Sequence, residues 1–541
     1  MNRTLLSFLF LINLICNGSW LTQEFTLLSV VMVILFSSLS STIEAFVYSI
    51  IPSAVFKHIY AAVIIVLHNM AGITDYFLVY HYNSVIDLQV IDAILLTNEN
   101  EASEFVSAFI TQAAVAMTSV CCFAVNITAY LVAKYLNKFK LTEKIIRWCA
   151  ALSVIFIVAN LVLFFSYRIS INALMHHTFT RVAWGYRHFK YDIQMDSLVQ
   201  ACREVRATAP KDKPLTMVVV IGESHSVYHT SLYGYDKQTY PLMCERERNG
   251  ELFVMQQAAT AFDVTSPTMW SVFSLDSMGN ASNQTPLFPA VFKAAGYRTY
   301  DYDNEFLKNR MVHVMTNSTL SDVMYDQRND HYYPFDGDMV DDLPVADDSL
   351  ALYVIHLSGH HVSYSQRYPS HFAQFGAKDY QGPQTEEQKE VIATYDNACL
   401  YNDFVIDRII RKFEDRNTVV AYFADHGEEI YDIRDFRGHM TSRTSPDPSY
   451  QLRVPLWIWL SKRFKEHNPD KAELLKRSRH LHIKTDDISH FLIDMAGIET
   501  PYFNRSRSFL SVDTYRGWND YQELINSKGV YTDEGKNMRQ F

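Results

Sequence analysis

Hydrophobic positions are distributed along this chain in two different ways. Residues 1–168 carry long, nearly uncharged apolar runs, whereas 200–541 break into short apolar stretches set among acids, bases and aromatics. Five of the long runs, at roughly 4–21, 25–48, 58–80, 105–133 and 148–167, approach the ~20 residues that a helix needs to cross ~30 Å of hydrocarbon. The first lacks a small-residue cleavage site and passes straight into the second, so it is expected to remain as a span and not to be removed as a signal peptide. Lys134, Lys138, Lys140, Lys144 and Arg147 crowd the short connection between the fourth and fifth runs. Positive charge keeps such a loop cytoplasmic, so the fifth span leads outward. Counting back places Arg3 and Lys57 inside and segment 81–104 outside, where Asn98 and Glu101 follow a short amphipathic stretch; they are either headgroup contacts or part of a solvated loop.

Beyond the last run the period changes. Residues 169–213 suit amphipathic helices and a charged linker, and from Pro214 short β-branched runs alternate with helix-like stretches. Met217–Ile221, Leu352–Ile355, Thr418–Phe423 and Leu456–Leu460 are continuously apolar, the pattern of sheet strands covered on both faces. The expected layout is a five-helix transmembrane domain over 1–168, bridging helices and linker over 169–213, and a catalytic α/β domain over 214–541.

Three of these strands run directly into polar residue types that bind metals: Gly222-Glu223-Ser224-His225, His356 through His361, and Asp425-His426-Gly427-Glu428. Ligands of open α/β sheets bind beyond the carboxyl ends of strands, so the three groups are expected to converge. An acid beside an imidazole at the end of a buried strand requires a counter-charge. Glu223, Asp425 and His426 would give a zinc ion three protein ligands and leave a fourth position for a nucleophile or substrate. Read alone, a Glu directly after a strand more often starts a helix, where the dipole favours it, than binds a metal.

Net charge narrows the partners. Forty-eight Lys and Arg against 59 Asp and Glu leave −11, which argues against a nucleic-acid binder, because affinity for phosphate backbones requires clustered basic charge. Cys202, Cys244 and Cys399 are the soluble part's cysteines, and their scatter makes neither a disulfide framework nor a zinc-finger spacing.

In order along the chain, Gly222-Glu223-Ser224, Ser231-Leu232-Tyr233-Gly234-Tyr235, Thr265-Ser266-Pro267-Thr268, His356-Leu357-Ser358-Gly359-His360-His361 with Arg367-Tyr368-Pro369, and Asp425-His426-Gly427-Glu428-Glu429 with Gly438-His439 resemble the phosphoethanolamine transferases. These belong to the alkaline-phosphatase/sulfatase-like superfamily. The resemblance extends to the five-span anchor and to Thr97-Asn98-x-x-Glu101-Ala102. It implies a multi-pass protein of the bacterial inner membrane with its catalytic domain in the periplasm. It implies zinc held by Glu223, Asp425 and His426, with Thr265 as nucleophile and fourth ligand. It implies that His361 and His439 hold the phosphoryl group or a second metal, and that Asn98 and Glu101 handle the lipid. The implied reaction takes phosphoethanolamine from phosphatidylethanolamine, through a phosphothreonine ester, to a lipopolysaccharide acceptor, with the chain acting as a monomer.

Two choices stay open in the sequence: Thr265 or Thr268 as nucleophile, and His360 or His361 at the site. The second ring nitrogens of His361 and His439 are expected to meet carboxylates or carbonyls, with Glu428 and Asp432 nearby, and His225, His229 and His356 are expected to be structural. Two departures bear on substrate. A sulfatase needs a convertible Cys or Ser and an Arg four positions on, where this chain has Thr265 and Met269. Lipid A-modifying members carry a cysteine before the nucleophile, where this chain has Ala261 and Phe262, which points toward core-sugar acceptors. A phosphoglycerol transferase or phosphodiesterase of the same fold is the alternative.

Overall fold

The computed structural model describes residues 3–23, 25–87, 112–136, 176–191, 195–210, 214–276, 285–305, 321–326, 333–345, 350–442 and 445–519, with residues 90–91, 94–95, 97, 102–103, 105–106, 138 and 212 between them. Two compact units result. One is drawn from Met1–Leu95 and Val106–Asp192, the other mainly from Ile193–Val530.

In the first unit four helices among the described residues are long and apolar enough to cross a membrane. They are α1 (Arg3–Gly18, continued by a 3-10 turn to Thr22), α2 (Leu27–Ile50), α3 (Ala54–Tyr82) and α4 (Gln112–Leu136), and they coincide with the first four apolar runs. The fifth run, 148–167, and Lys140, Lys144 and Arg147 lie outside the described residues. Thr26 caps α2 by accepting from the Ser29 amide, and Pro52 falls in the break between α2 and α3, where a missing N–H does no harm.

Polar side chains inside this unit are paired with one another. Glu44 on α2 accepts from Asn13 on α1 at 3.0 Å and meets His68 Nε2 on α3 at 2.8 Å. Asp75 on α3 accepts from Ser19, from Thr178 and from the Ile86 amide, each at 2.8 Å, and is ion-paired with Arg181. Thr178 and Arg181 belong to α5 (Thr178–Tyr191), so this one carboxylate ties three segments together.

The second unit is built on a seven-stranded sheet. Its strands are β1 (Thr216–Gly222), β2 (Leu252–Val254), β3 (Arg298–Asp303), β4 (Val323–Asp326), β5 (Ala351–His356), β6 (Thr418–Ala424) and β7 (Leu456–Leu460), in the spatial order β2-β7-β6-β1-β5-β3-β4. β6, β1, β5, β3 and β4 run parallel to one another, and β7 is antiparallel to both β6 and β2. Side chains alternate between faces along a strand, which divides the apolar residues of this sheet into two cores. Met217, Val219 and Ile221 pack with Leu352, Val354 and Phe423 against helices α7 (Phe288–Ala294) and α9 (Ile488–Ala496). Val218 and Val220 pack with Tyr353, Ile355 and Tyr422 against α8 (Glu386–Phe413). A capping box of Thr385 and Gln388 starts α8, the sequence signature of a helix N-terminus. The continuous apolar strands therefore mark a sheet buried on both faces, as their pattern predicts.

Candidate metal centre at the strand ends

Parallel strands deliver their next residues to the same edge of the sheet. Gly222 closes β1 opposite Ala424 of β6, so Glu223 and Asp425 emerge side by side. A Cβ at Gly222 would lie 2.1 Å from the Tyr422 hydroxyl, which is why the strand ends on glycine. Ser224 takes positive φ (53°), an uncommon conformation for a residue with a side chain. There its amide donates to Asp425 Oδ1 at 3.0 Å and its hydroxyl to Glu223 Oε1 at 2.7 Å, fixing both acids. Gly359, also at positive φ, presses on the Glu223 backbone, where a Cβ would stand 2.9 Å from the amide nitrogen. Asp336 holds that turn by accepting from the Ser358 and Gly359 amides, each at 3.0 Å.

His426 follows Asp425. Its Nδ1–H donates to the Gly427 carbonyl at 3.0 Å, which turns the Nε2 lone pair toward the acids. Nε2 is 3.1 Å from Asp425 Oδ2 and 3.5 Å from Glu223 Oε1. One ligand atom from each of Glu223, Asp425 and His426 falls within 4.8 Å of the others.

Thr265 opens α6 (Thr265–Phe273), with Pro267 in its first turn, where the absent amide proton would have had no partner. Its Oγ1 is 3.2 Å from Glu223 Oε2 and 3.3 Å from His426 Nε2. Thr268 lies one turn further on, buried, and its hydroxyl donates to the Val264 carbonyl at 2.9 Å. Of the two threonines, the structure brings Thr265 to Glu223 and His426 and turns Thr268 toward the Val264 carbonyl.

The two adjacent histidines separate as clearly. His360 is buried in a stack with His225, ring centroids 4.6 Å apart, and its Nδ1 donates to the Glu223 carbonyl at 3.2 Å. His361 is partly exposed, with Nε2 3.5 Å from Glu305 Oε1. His439 lies against His426, centroids 4.1 Å apart, and its Nδ1 donates to the Asp263 carbonyl at 2.7 Å. Glu305 thus stands beside His361, and beside His439 are a main-chain carbonyl and Glu428, which offers a carboxylate oxygen within 4.8 Å of ring nitrogens of both His426 and His439. Of the acids expected there, Glu428 accepts from the Tyr364 hydroxyl at 2.6 Å and Asp432 from the Ile430 amide at 2.8 Å. Asn98 and Glu101 lie outside the described residues.

Electrostatics mark the cluster as short of positive charge. Burial would raise the Glu223 pKa, but the charges of His426, His361 and His356 outweigh it and hold the group at about 2. Asp425 is pushed up to about 7 by burial and by Glu223 beside it. His426 is desolvated yet raised to about 9 by the two carboxylates, and His439 is driven down to about 3 by burial and by His426. Asp425 Oδ2 has no hydrogen-bond donor among the described residues. Two buried carboxylates, an imidazole with its lone pair turned inward, a hydroxyl and an orphaned oxygen form a donor set that fits zinc.

Sequence reasoning named Glu223, Thr265, Asp425 and His426, and the structure gathers all four. It did not single out the contributions of Ser224, Asp336 and Asp263. Ser224 and Asp263 stood next to named motifs; Asp336 carries no local signal.

Residues 216–498 match the Sulfatase family, which takes in the sheet and every residue of the cluster. The chain belongs to the Sulfatase family. This sulfatase-family chain is 28% identical over 347 residues to phosphoethanolamine transferase EptC of Escherichia coli, an alignment covering 60% of the chain and 59% of that relative. Its fold is similar to that of the integral membrane protein lipooligosaccharide phosphoethanolamine transferase A (EptA) of Neisseria meningitidis, with a TM-score of 0.65 at 18% identity over 94% of this chain and 98% of that one. The zinc complex of the C-terminal periplasmic domain of EptC from Escherichia coli superimposes with a TM-score of 0.51 at 25% identity, over 58% of this chain and 91% of that one. The alignment to full-length EptC spans about 59% of the length of that relative and 54% of the Kdo(2)-lipid A phosphoethanolamine 7''-transferase of Salmonella typhimurium, to which the chain is 27% identical over 53% of its own length.

Proposed function

We propose that this protein transfers phosphoethanolamine from phosphatidylethanolamine to a lipopolysaccharide acceptor on the periplasmic side of the bacterial inner membrane. The observation that carries this reading is Thr265 Oγ1 at a helix N-terminus, 3.2 Å from Glu223 and 3.3 Å from His426. A hydroxyl held there against a buried carboxylate and an imidazole supports reading Thr265 as the nucleophile. Zinc bound by Glu223, Asp425 and His426 would supply the Lewis acidity that lowers the hydroxyl's pKa, as it lowers that of bound water to about 7.

Thr265 Oγ attacks the donor's phosphorus as the bond to the glycerol oxygen breaks, and the hydroxyl proton ends on the departing diacylglycerol. An acceptor hydroxyl or sugar phosphate then attacks the phosphothreonine ester, and Thr265 recovers its hydroxyl. His361 and His439 flank the metal cluster and would bind the phosphoryl oxygens as charge develops on them. The likeness to transferases, together with Thr265 and Met269 at the two positions a sulfatase needs, supports phosphoryl over sulfate chemistry. The apolar helices keep the enzyme beside its lipid donor, which raises the donor's effective concentration. Asn98 and Glu101 are proposed to bind that donor's headgroup.

Purified full-length protein incubated with fluorescent phosphatidylethanolamine should release diacylglycerol and gain one phosphoethanolamine by intact mass. Thr265→Ala should do neither. Release from phosphatidylglycerol alone would reassign the donor, and an adduct on Thr265→Ala would reassign the nucleophile.

A further inference from the structure

Four neighbouring strands, β6, β1, β5 and β3, present a continuous row of ionisable groups at one edge of the sheet. Asp425 and Glu223 follow β6 and β1; His356 ends β5 opposite Ile221 of β1; Asp303 ends β3 opposite His356. The first two belong to the metal cluster. The other two form a couple of their own, with His356 Nδ1–H donating to Asp303 Oδ1 at 3.0 Å. The Glu305 amide donates to the same oxygen at 3.0 Å, so the carboxylate that orients the imidazole is itself fixed.

His356 differs from the other histidines expected to be structural. Both nitrogens of His225 are occupied, by the Tyr422 and Thr230 hydroxyls, and both of His229 by Asp396 and Asp432. His356 is 2% exposed, yet its Nε2 has no hydrogen-bond partner among the described residues. A buried imidazole with one nitrogen anchored by a carboxylate and the other left free is how proteins aim a ring at a ligand. Burial opposes its charge, but the Asp303 carboxylate bonded at Nδ1 favours the protonated ring, which places a second N–H on Nε2. A buried cationic N–H calls for an anionic oxygen.

We propose that His356, oriented by Asp303, donates its Nε2–H to a non-bridging oxygen of the phosphoryl group being transferred. The inference rests on the phosphoryl-transfer reading above, which does not itself assign a role to either residue. It makes the Asp303–His356 couple a third anion contact, beside His361 and His439, at the strand that adjoins Glu223.

Two substitutions separate the ring's halves. His356→Asn keeps a donor near Nδ1 and removes the one at Nε2, whereas His356→Gln keeps a donor near Nε2. Binding of inorganic phosphate to the zinc-loaded, detergent-solubilised full chain is measured by calorimetry on a Thr265→Ala background, so that no ester forms. His356→Asn should weaken phosphate binding about tenfold or more, the loss expected for one charged hydrogen bond, with His356→Gln retaining most of the affinity. Zinc content should equal that of the parent in both. Should His356→Asn melt early, Asp303→Asn carries the test, with a loss of about threefold or more as the ring loses its anchor. Unchanged phosphate affinity in the folded variant overturns the proposal. So does loss of zinc from His356→Asn, which would make the imidazole a metal ligand, or failure of the Thr265→Ala parent to bind phosphate. Intact phosphate binding in a protein that phosphatidylethanolamine cannot label leaves this contact standing and sinks the donor assignment alone.

Discussion

The helical unit and the sheet unit each bury a pair of acids, and they treat them in opposite ways. Asp75 receives three hydrogen bonds and the Arg181 guanidinium, and Glu44 receives Asn13, Ser40 and His68. Every oxygen of both has a donor. Glu223 and Asp425 follow neighbouring parallel strands, yet one oxygen of Asp425 has no donor among the described residues and both acids lie against one imidazole, His426. Burying an unpaired charge is expensive, so a fold retains such a deficit only where something else is bound. Saturated acids hold helices together; the unsaturated ones supply the donor set proposed to hold zinc.

Removing one acid from each cluster should therefore give different losses. Asp425→Asn should abolish zinc binding and cut transfer by about a thousandfold or more while the fold persists, because the scaffold no longer strains against a second carboxylate. Zinc-to-protein ratio by atomic spectroscopy and diacylglycerol release check both halves. A variant that keeps its zinc would end the argument from charge deficit. Asp75→Asn should lower stability by about 3 kcal/mol or more, since it leaves Arg181 buried against a neutral amide. Thermal unfolding of the detergent-solubilised chain reads this, with zinc content unchanged.

The contrast also explains what could be read from the sequence. Four apolar runs and the continuous strands were legible because burial on all sides leaves an unmistakable pattern, and Glu223, Asp425 and His426 were legible because acids and imidazoles directly after buried strands are costly unless used. Thr265 was legible through its position in a family motif, but the choice over Thr268 depended on which way one turn of helix faces. The choice between His360 and His361 likewise depended on the positive φ of Gly359, which turns the first ring inward onto His225. Asp336 was invisible, since its work is to hold main-chain amides that no side-chain pattern reports.

A third buried cluster tests the rule at intermediate cost. His229 lies between Asp396 at 2.6 Å and Asp432 at 3.2 Å. Burial would lower its pKa, but the two carboxylates raise it from 6.5 to about 10. A folded value above the unfolded one stabilises the protein fully below pH 6.5, and that stability is lost as the pH climbs through about 10. Melting temperature should therefore fall between neutral pH and pH 10 in the parent more steeply than in His229→Gln, which has no proton to lose. Parallel profiles would mean that the imidazole is neutral and the cluster is held by hydrogen bonds alone.

The smallest effect belongs to the threonine the site leaves aside. Thr268 Oγ1 donates to the Val264 carbonyl at 2.9 Å and lies 3.4 Å from Thr260 Oγ1, all of it buried behind the first turn of α6. Thr268→Val keeps the shape and β-branching while deleting one hydroxyl, and the Val264 carbonyl keeps the Thr268 amide, at 3.4 Å, as a donor. One hydrogen bond of this kind contributes about 1 kcal/mol, so the melting temperature should drop slightly while transfer and zinc content stay at the parent's level. Because Thr268 belongs to the same turn as Thr265, a large fall in transfer without loss of stability would show that its hydroxyl reaches the reacting phosphorus. That single result would reverse the assignment of the nucleophile on which the contrast between the two kinds of buried acid has its chemical meaning.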